Sequence, residues 1–522
     1  MTPSAVQDMT RGKWLALAAA LLGWMFDGLE MGLFPQVARP LLMDLLGTTD
    51  DKAIGRWIGV ATASFLVGAA TGGVLFGWLG DRLGRVRAMT LSVATYAIFS
   101  GLCGVAAQAW QVAVLRFVSA LGMGGEWALG VALVMEIWPN RSRSFLAGLI
   151  GAAANVGYML VGFLALGLGA FQASVPAWLA MLGIGETWVA ALTAHSSWRL
   201  LMLLGAVPAL LTFFIQWFVP ESERWRHEQK RGMTSNWAAR DLLGVGVGAV
   251  CAMIMIYLWT IEDLTLPVRI EGPLLGLNLH IRVDLALPVR IAGSLLSLIG
   301  VTLGYLYPAW RYLQRSARTG LQQNPAWPFT LKRMLLGACL SGVALLGTWA
   351  SMQWAPSWAD QLAGTAYPSA KAYTQISMSA GAIVGTLLAA QLGDWLGRRA
   401  AYSLLCLSSL AAALAFFRLN HEFGAWFLTT AFLAGGLTAS FYGWLPLYLP
   451  ELFHTGVRAT GQGFSFNFGR IIAAIGALQT ANLMALFGGS YPKACSVMSL
   501  IYVVGLLLIW LAPETRGRPL PE

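Results

Sequence analysis

Gly80-Asp81-Arg82-Leu83-Gly84-Arg85 returns later in the chain as Gly393-Asp394-Trp395-Leu396-Gly397-Arg398, an offset of 313 residues. Two further strings follow the same order. Glu136-Ile137-Trp138-Pro139 comes back loosely as Glu451-Leu452-Phe453-His454, at an offset of 315. Pro220-Glu221-Ser222 comes back as Pro513-Glu514-Thr515, at an offset of 293. The chain is therefore built from two similar halves. The drop in the last offset gives the first half about 20 extra residues between its fourth and sixth helices, and the long outer loop 170–197 is the obvious place for them.

The residues around these strings are apolar. Of the 522 residues, 57% are hydrophobic and 11% charged, with a mean hydropathy of +0.64. An ordinary soluble domain carries about a quarter charged residues. The composition excludes a soluble enzyme, a disordered chain and a nucleic-acid module, and reads as an all-α polytopic membrane protein. Apolar runs between charged punctuation predict fourteen spans. Six lie at 14–36, 55–79, 88–108, 111–135, 145–169 and 198–219, an inserted pair at 240–259 and 290–310, and six more at 332–352, 373–392, 400–418, 424–447, 459–482 and 495–512. This divides the chain into an N-terminal six-helix bundle (1–220), a central linker with two extra spans (221–331) and a C-terminal six-helix bundle (332–522).

Lysines and arginines orient the chain. With the N-terminus inside, the inner segments hold 22 of the 34 basic residues and the outer ones 11, with Arg470 left inside a span. Positive charge inside is the topological rule, so the net charge of +10 reads as topology rather than as a nucleic-acid surface. Both termini are expected in the cytoplasm, in an inner cell membrane. An anionic-lipid patch on the basic 220–240 loop is the competing reading of part of that charge. No cleavable signal peptide is expected, since the N-terminal Met1–Lys13 is polar and no small-residue site follows before Asp27.

The stretch between the inserted spans has a different period. Leu277, Leu279, Ile281, Val283, Leu285 and Leu287 alternate with Asn278, His280, Arg282, Asp284 and Ala286. Leu264, Leu266, Val268 and Ile270 do the same before Gly272-Pro273. Period two is a strand signal, and a small extracytoplasmic β-hairpin is predicted, serving as a lid or packing surface.

Gly77-x-x-x-Asp81-Arg82-x-Gly84-Arg85 resembles the signature loop between helices two and three of the major facilitator superfamily. Pro220-Glu221-Ser222 and Pro513-Glu514-Thr515-Arg516-Gly517 resemble helix-end motifs of its sugar-porter and metabolite-symporter branches. Arg116-Phe117, Gly122-Met123-Gly124-Gly125-Glu126-Trp127 and Glu136-Ile137-Trp138-Pro139 resemble the fourth helix of the sialate and lactate permeases. Glu451, Arg458-Ala459-Thr460-Gly461 and Asn467-Phe468-Gly469-Arg470 fit the same branch. The resemblance spans 14–220 and 332–517 and implies a two-bundle transporter with alternating access. It does not cover the inserted pair, and the seventh-helix pattern of the lactate permeases is not evident here.

Charge inside a span is costly, so each such residue is a functional candidate. Asp27 and Glu30 lie three apart on one face of the first span. Buried carboxylates that repel one another hold a proton near neutrality, which is what proton coupling needs. The resemblance implies Asp-Gly-x-Asp here, and Glu30 replaces the second acid. Glu126 follows a glycine-rich face in the fourth span. Close packing explains the glycines but not the acid, so Glu126 joins the coupling candidates, with an ion pair to Arg116 or Arg470 as its alternative. Arg470, well inside the eleventh span, is a permanent cation with bidentate donors, suited to a substrate carboxylate. Asn467, Gln353, Tyr442, Asn155, Tyr158 and Arg116 are its candidate companions. Asp81, Arg82, Arg85, Arg87, Glu136, Asp394, Arg398, Arg399, Glu451 and Arg458 are candidate gating residues. Asp81 is expected to face the N-terminus of the eleventh helix, Arg85 and Arg87 to pair with Glu136, and Arg398 and Arg399 with Glu451.

No metal cluster, phosphate loop or nucleophile motif is visible, and the five histidines and five cysteines have no ligand or redox spacing. No cofactor or metal is expected, and the chain is not read as an enzyme. The expected partners are protons, a small organic anion and the lipid bilayer, with no nucleic acid. The sequence thus points to proton-coupled symport of a small organic acid. A sugar or polyol porter is the alternative, and a non-transporting nutrient sensor a lesser one.

Overall fold

The computed structural model describes residues 3–138, 142–260, 267–270, 273–274, 277–278, 281–284, 286–319, 327–473, 484 and 486–521. Long helices dominate. The first part contains α1 (Pro3–Leu46), α2 (Asp51–Leu83), α3 (Arg85–Leu102), α4 (Ala109–Ile137), α5 (Arg143–Met181), α6 (Glu186–Leu204), α7 (Ala209–Phe218) and the short α8 (Glu223–Lys230). The inserted pair is α9 (Leu242–Thr260) and α10 (Ala286–Arg318). The last part contains α11 (Trp327–Trp349), α12 (Ala355–Ala363), α13 (Ala370–Leu396), α14 (Arg398–Leu419), α15 (Ala425–Ala439), α16 (Phe441–Tyr448) and α17 (Arg458–Asn467), then α18 (Tyr491–Ser499) and α19 (Ile501–Leu508).

Twelve described helices, not fourteen, are long and apolar enough to cross a membrane. The two expected spans that are missing have separate causes. Residues 424–447 divide at Ser440 into α15 and α16, each shorter than a crossing. The span 459–482 runs past Ala473 into residues outside the described set. The outer loop 170–197 is corrected as well: α5 continues to Met181 and α6 begins at Glu186. Its alanine-rich sequence extends the helix. The break comes at His195, Ser196 and Ser197, whose φ values of 46°, 64° and 56° are left-handed, and the expected start of the sixth span lies just beyond them.

Between α9 and α10, β1 (Pro267–Ile270) pairs antiparallel with β4 (Ile281–Asp284), with Val268 opposite Val283. Inside them β2 (Pro273–Leu274) pairs with β3 (Leu277–Asn278). Leu264, Leu266, Gly272, Leu279, His280 and Leu285 of the alternating stretch lie outside the described residues. Leu287 is in α10 rather than in a strand. Pro-Val-Arg-Ile therefore occurs once as strand β1 and once within the first turns of α10. Pro288 is tolerated there because a first-turn N–H has no intrahelical partner to lose.

Glycine sets the helix contacts. A Cβ on Gly72 of α2 would lie 1.9 Å from the Leu121 carbonyl of α4, and one on Gly124 of α4 would lie 1.9 Å from Ala69 of α2. The backbones touch where side chains would normally hold them apart. Between the two parts of the chain, α2 lies on α17 and α5 on α13. The turns α2–α3 and α13–α14 both pass through a left-handed glycine, Gly84 (φ 110°) and Gly397 (φ 91°). That is why the opening string repeats with its glycine. The inserted pair packs on itself and then on α2, and α10 also touches α11 and α17. Tyr305 on α10 is hydroxyl-bonded to Thr71 on α2 at 2.7 Å. The outward side of α9 exposes Leu243, Val247, Val250 and Ile254, an apolar stripe at helical spacing.

Candidate functional site

Three groups of residues, stacked along the contact between the early and late helices, carry the chemistry. One end is closed by polar bonds. Asp81, at the end of α2, accepts the backbone N–H of Ala459 (3.2 Å) and Thr460 (2.8 Å) and the Thr460 hydroxyl (2.7 Å). A carboxylate thus sits on the free amides that begin α17, where the helix dipole favours it. Arg85 binds Asp81 at 2.8 Å and Glu136 at 3.1 Å, and also donates to the Thr455 carbonyl at 2.8 Å. Arg458 reaches across to Glu136 at 2.8 Å. In the second copy, Arg398 holds Glu451 through two bonds of 3.0 and 2.6 Å and touches Asp394 at 3.4 Å.

Two expected pairs do not form. Arg87 is exposed, and Glu136 pairs with Arg85 and Arg458 instead. Arg399 donates to the Ala512 carbonyl at 2.6 Å instead of to Glu451. Arg82 lies over the Trp78 ring. Sequence reading left the two Pro-Glu motifs without a role, and the structure supplies one. Glu221 accepts the N–H groups of Arg85 and Val86, and Glu514 accepts those of Arg398 and Arg399. Each glutamate caps the helix that follows the repeated glycine turn. Ser222 then donates to Glu136 at 2.5 Å, and Thr515 to Glu451 at 2.6 Å. Both glutamates lie beyond the spans. Burial raises the Glu221 carboxyl, partly opposed by those amides and by Arg85. For Glu514 burial also works upward, but four backbone amides outweigh it and hold the carboxyl below its usual range. The repeat itself was the signal for these roles.

Further along the contact, Asp27 of α1 and Glu126 of α4 are buried together. The Glu126 carboxylate lies over Gly23: a Cβ there would fall 1.5 Å from its Oε1. Neither acid has a cation at ion-pair distance among the described residues, and Arg470 is within electrostatic reach of Asp27. Glu30 and Arg116 part from this group. Arg116 binds Glu30 at 3.2 Å, Ser100 donates to the same carboxylate, and the guanidinium lies over the rings of Phe34 and Phe65. The two candidates neutralise one another inside the early helices.

Beside the acids is a cavity with about 130 Å³ open to the centres of water molecules. One water needs roughly 10–15 Å³, so several waters or a small organic molecule fit. Early helices supply Trp24, Asn155 and Tyr158, and late ones supply Gln353, Gln375, Tyr442, Phe466 and Arg470. Arg470 lies in the helical residues 469–473, beyond a turn at Phe468. It is 5% exposed, and its Nε and Nη1 have no hydrogen-bond partner among the described residues. Its guanidinium lies 5.6 Å from the centroid of Phe466, which stacks on Trp127 at 3.8 Å. Tyr442 shares a 2.7 Å hydroxyl bond with Thr348, and Asn155 donates to the Gly151 carbonyl at 3.0 Å. Asn467 does not reach the cavity lining: its amide donates to the Gly124 carbonyl at 2.9 Å and fastens α17 to α4. Gln375 of α13, which is not among the sequence candidates, also lines the cavity. A permanent cation with free donors, walled by aromatic rings and amides, can bind a carboxylate on a small, partly apolar molecule.

Comparison with known proteins bears on the whole chain. The sequence model of the Major Facilitator Superfamily matches residues 14–477. The "Probable 4-methylmuconolactone transporter" of Cupriavidus pinatubonensis is 26% identical over 511 residues, covering 96% of this chain and 90% of that one. The cis,cis-muconate transport protein of Acinetobacter baylyi is 23% identical over 497 residues, covering 94% and 92%. Among solved structures, the proton:xylose symporter XylE superposes with a TM-score of 0.64 at 17% identity, over 98% of both chains. At that identity the likeness concerns the fold.

Proposed function

The chain belongs to the Major Facilitator Superfamily, as a multi-pass membrane transporter rather than an enzyme, and on that premise we propose that it is a proton-coupled symporter of a small organic anion. The observation that carries this reading is Arg470, a buried guanidinium with two donors unsatisfied among the described residues, facing a cavity between early and late helices. A buried guanidinium with donors left unsatisfied is unfavourable. An anionic substrate relieves that cost. The names of the 4-methylmuconolactone and cis,cis-muconate transporters favour a small organic acid of that kind.

Asp27 and Glu126 carry the proton in this scheme. They are buried together without a cation at ion-pair distance among the described residues, and Arg470 is within electrostatic reach of Asp27. A substrate carboxylate arriving at Arg470 weakens the support Arg470 gives to an ionised Asp27, so binding and protonation favour one another. Glu30, paired with Arg116, has a structural role here. Rocking of the 1–220 bundle against the 332–522 bundle then alternates access. The Asp81, Arg85, Glu136 and Arg458 bonds hold one end closed, and that end is the cytoplasmic one when the basic loops face inward. Both termini lie in the cytoplasm of an inner-membrane protein in this reading. The paired strands between α9 and α10 then lie outside, as an accessory to the bundle.

The test is substrate binding to purified protein. Cis,cis-muconate should bind the wild type, bind Arg470→Lys weakly and fail to bind Arg470→Gln, with thermal stability retained or raised in the last. Undiminished carboxylate binding by Arg470→Gln overturns the assignment. A second reading, a sugar or polyol porter, is favoured by the amides Asn155, Gln353 and Gln375 in the cavity. Hexose binding that is indifferent to Arg470 would establish it instead.

A further inference from the structure

A second feature lies apart from the substrate cavity, where α7 ends. Two adjoining hollows, of about 500 and 390 Å³, flank the Val219-Pro220-Glu221 segment and share Arg226. Lys13 lines the first, and Arg87 and Lys230 line the second. These four cations make no ion pair or side-chain hydrogen bond among the described residues. The acids nearby do not cancel them. Glu221 is occupied by the amides of Arg85 and Val86, and Glu136 by Arg85, Arg458 and Ser222. Glu223 is the remaining carboxylate.

The apolar surroundings are equally specific. Trp217 and Phe218 line the first hollow and are exposed, and Phe213 and Leu210 continue the exposed face up α7. The apolar crossing that includes α7 ends at Phe218. The cations therefore sit where the helix leaves the hydrocarbon, directly under a lipid-facing strip with a tryptophan at its edge. That is the geometry of a phospholipid, with the head group at the cations and the chains along the strip.

We propose that this groove binds the head group of an anionic phospholipid, with its acyl chains along the exposed face of α7. The bound lipid stabilises the closed end of the transporter. The groove wall is the Pro220-Glu221-Ser222 segment, which caps α3 and holds Glu136 toward Arg458. Fixing that segment fixes the bond between the two parts of the chain. The proposal does not depend on the nature of the transported molecule.

The probe is phosphatidylglycerol. The full-length protein is reconstituted in phosphatidylcholine with or without phosphatidylglycerol, extracted gently, and its retained lipid counted by native mass spectrometry. The variants are Lys13→Gln/Arg226→Gln/Lys230→Gln and, as a control for diffuse charge at the same end, Arg318→Gln. Phosphatidylglycerol retention should fall by about fivefold or more per cation removed from the groove, while Arg318→Gln retains it. Inorganic phosphate at matched concentration should not displace it. A spin-label pair across α2 and α17 should show the closed distance favoured by phosphatidylglycerol in wild type and not in the triple variant. Equal retention by the triple variant, equal retention of phosphatidylcholine, or displacement by inorganic phosphate overturns the proposal. The thermal melting point of each variant separates misfolding from loss of the site, and Arg226→Gln alone repeats the test with a smaller change.

Discussion

Gly23→Ala is the sharpest single perturbation of the proposed proton site. The added Cβ would lie 1.5 Å from Glu126 Oε1 and 2.7 Å from its Cδ. A carbon and an oxygen in contact need roughly 3.2 Å or more, so the carboxylate must retreat by more than 1.5 Å or α1 must move from α4. Overpacking of this kind costs about 1–3 kcal/mol. The carboxylate is the end of a flexible side chain, so it gives first, and Glu126 loses its place beside Asp27. The protein should fold with a melting point lowered by a few degrees. Its uptake in proteoliposomes should lose most of its dependence on an inward proton gradient while substrate binding at Arg470 persists. Shortening the acid restores room: Gly23→Ala/Glu126→Asp should recover part of the gradient dependence, whereas Glu126→Asp alone should reduce it. Full coupling in Gly23→Ala would refute the placement of Glu126 in the coupling site. So would a double variant no better than the single one.

Other perturbations address the closed end and the paired charges. Asp81→Asn keeps the size of the side chain but removes the charge on the α17 amides and on Arg85. Charge-assisted bonds are worth about 1.5–3 kcal/mol each, so a spin-label distance across α2 and α17 should shift toward the open form. An unchanged distance distribution contradicts the gating role. Arg116→Leu leaves Glu30 buried without its partner, and breaking such a pair costs about 3–5 kcal/mol. Arg116→Leu/Glu30→Gln should regain much of that loss in a thermal-unfolding series and still transport. A double variant that folds but does not transport would return Glu30 to the coupling site. Backbone amides depress the Glu514 carboxyl, against the effect of burial. A depressed acid contributes stability that is present above its unfolded value and lost as pH falls through its folded value. Melting curves on the acid side of the ordinary glutamate range should therefore steepen in wild type and flatten in Glu514→Gln. Identical pH profiles would remove Glu514 as a contributor.

The architecture was legible where the sequence constrains the backbone. The glycine of each repeated string sits at a left-handed turn, Gly84 and Gly397, and no other residue type takes that conformation readily. Asp81 on the α17 amides was likewise legible, since an acid after an apolar run needs donors. What the sequence left open depended on partners that a linear reading does not contain. Glu30 and Arg116 are 86 residues apart and each alone looked functional; the fold joins them. Arg399 and Arg87 share their strings with working arginines but point elsewhere, because a helix turns neighbouring residues by about 100°. The division of 424–447 at Ser440 and the helical extension of α5 to Met181 are tertiary outcomes, invisible to hydropathy. The caps made by Glu221 and Glu514 could have been read from the repeat, because the same acid recurs at the same helix start.

The most direct test of the central claim is uptake of labelled cis,cis-muconate into proteoliposomes, with and without an inward proton gradient. It compares wild type, Asp27→Asn and Arg470→Gln. The account predicts that the gradient accelerates uptake by wild type. Asp27→Asn should retain exchange but ignore the gradient, and Arg470→Gln should neither bind nor accumulate the acid. Gradient-driven uptake that survives both substitutions would contradict it.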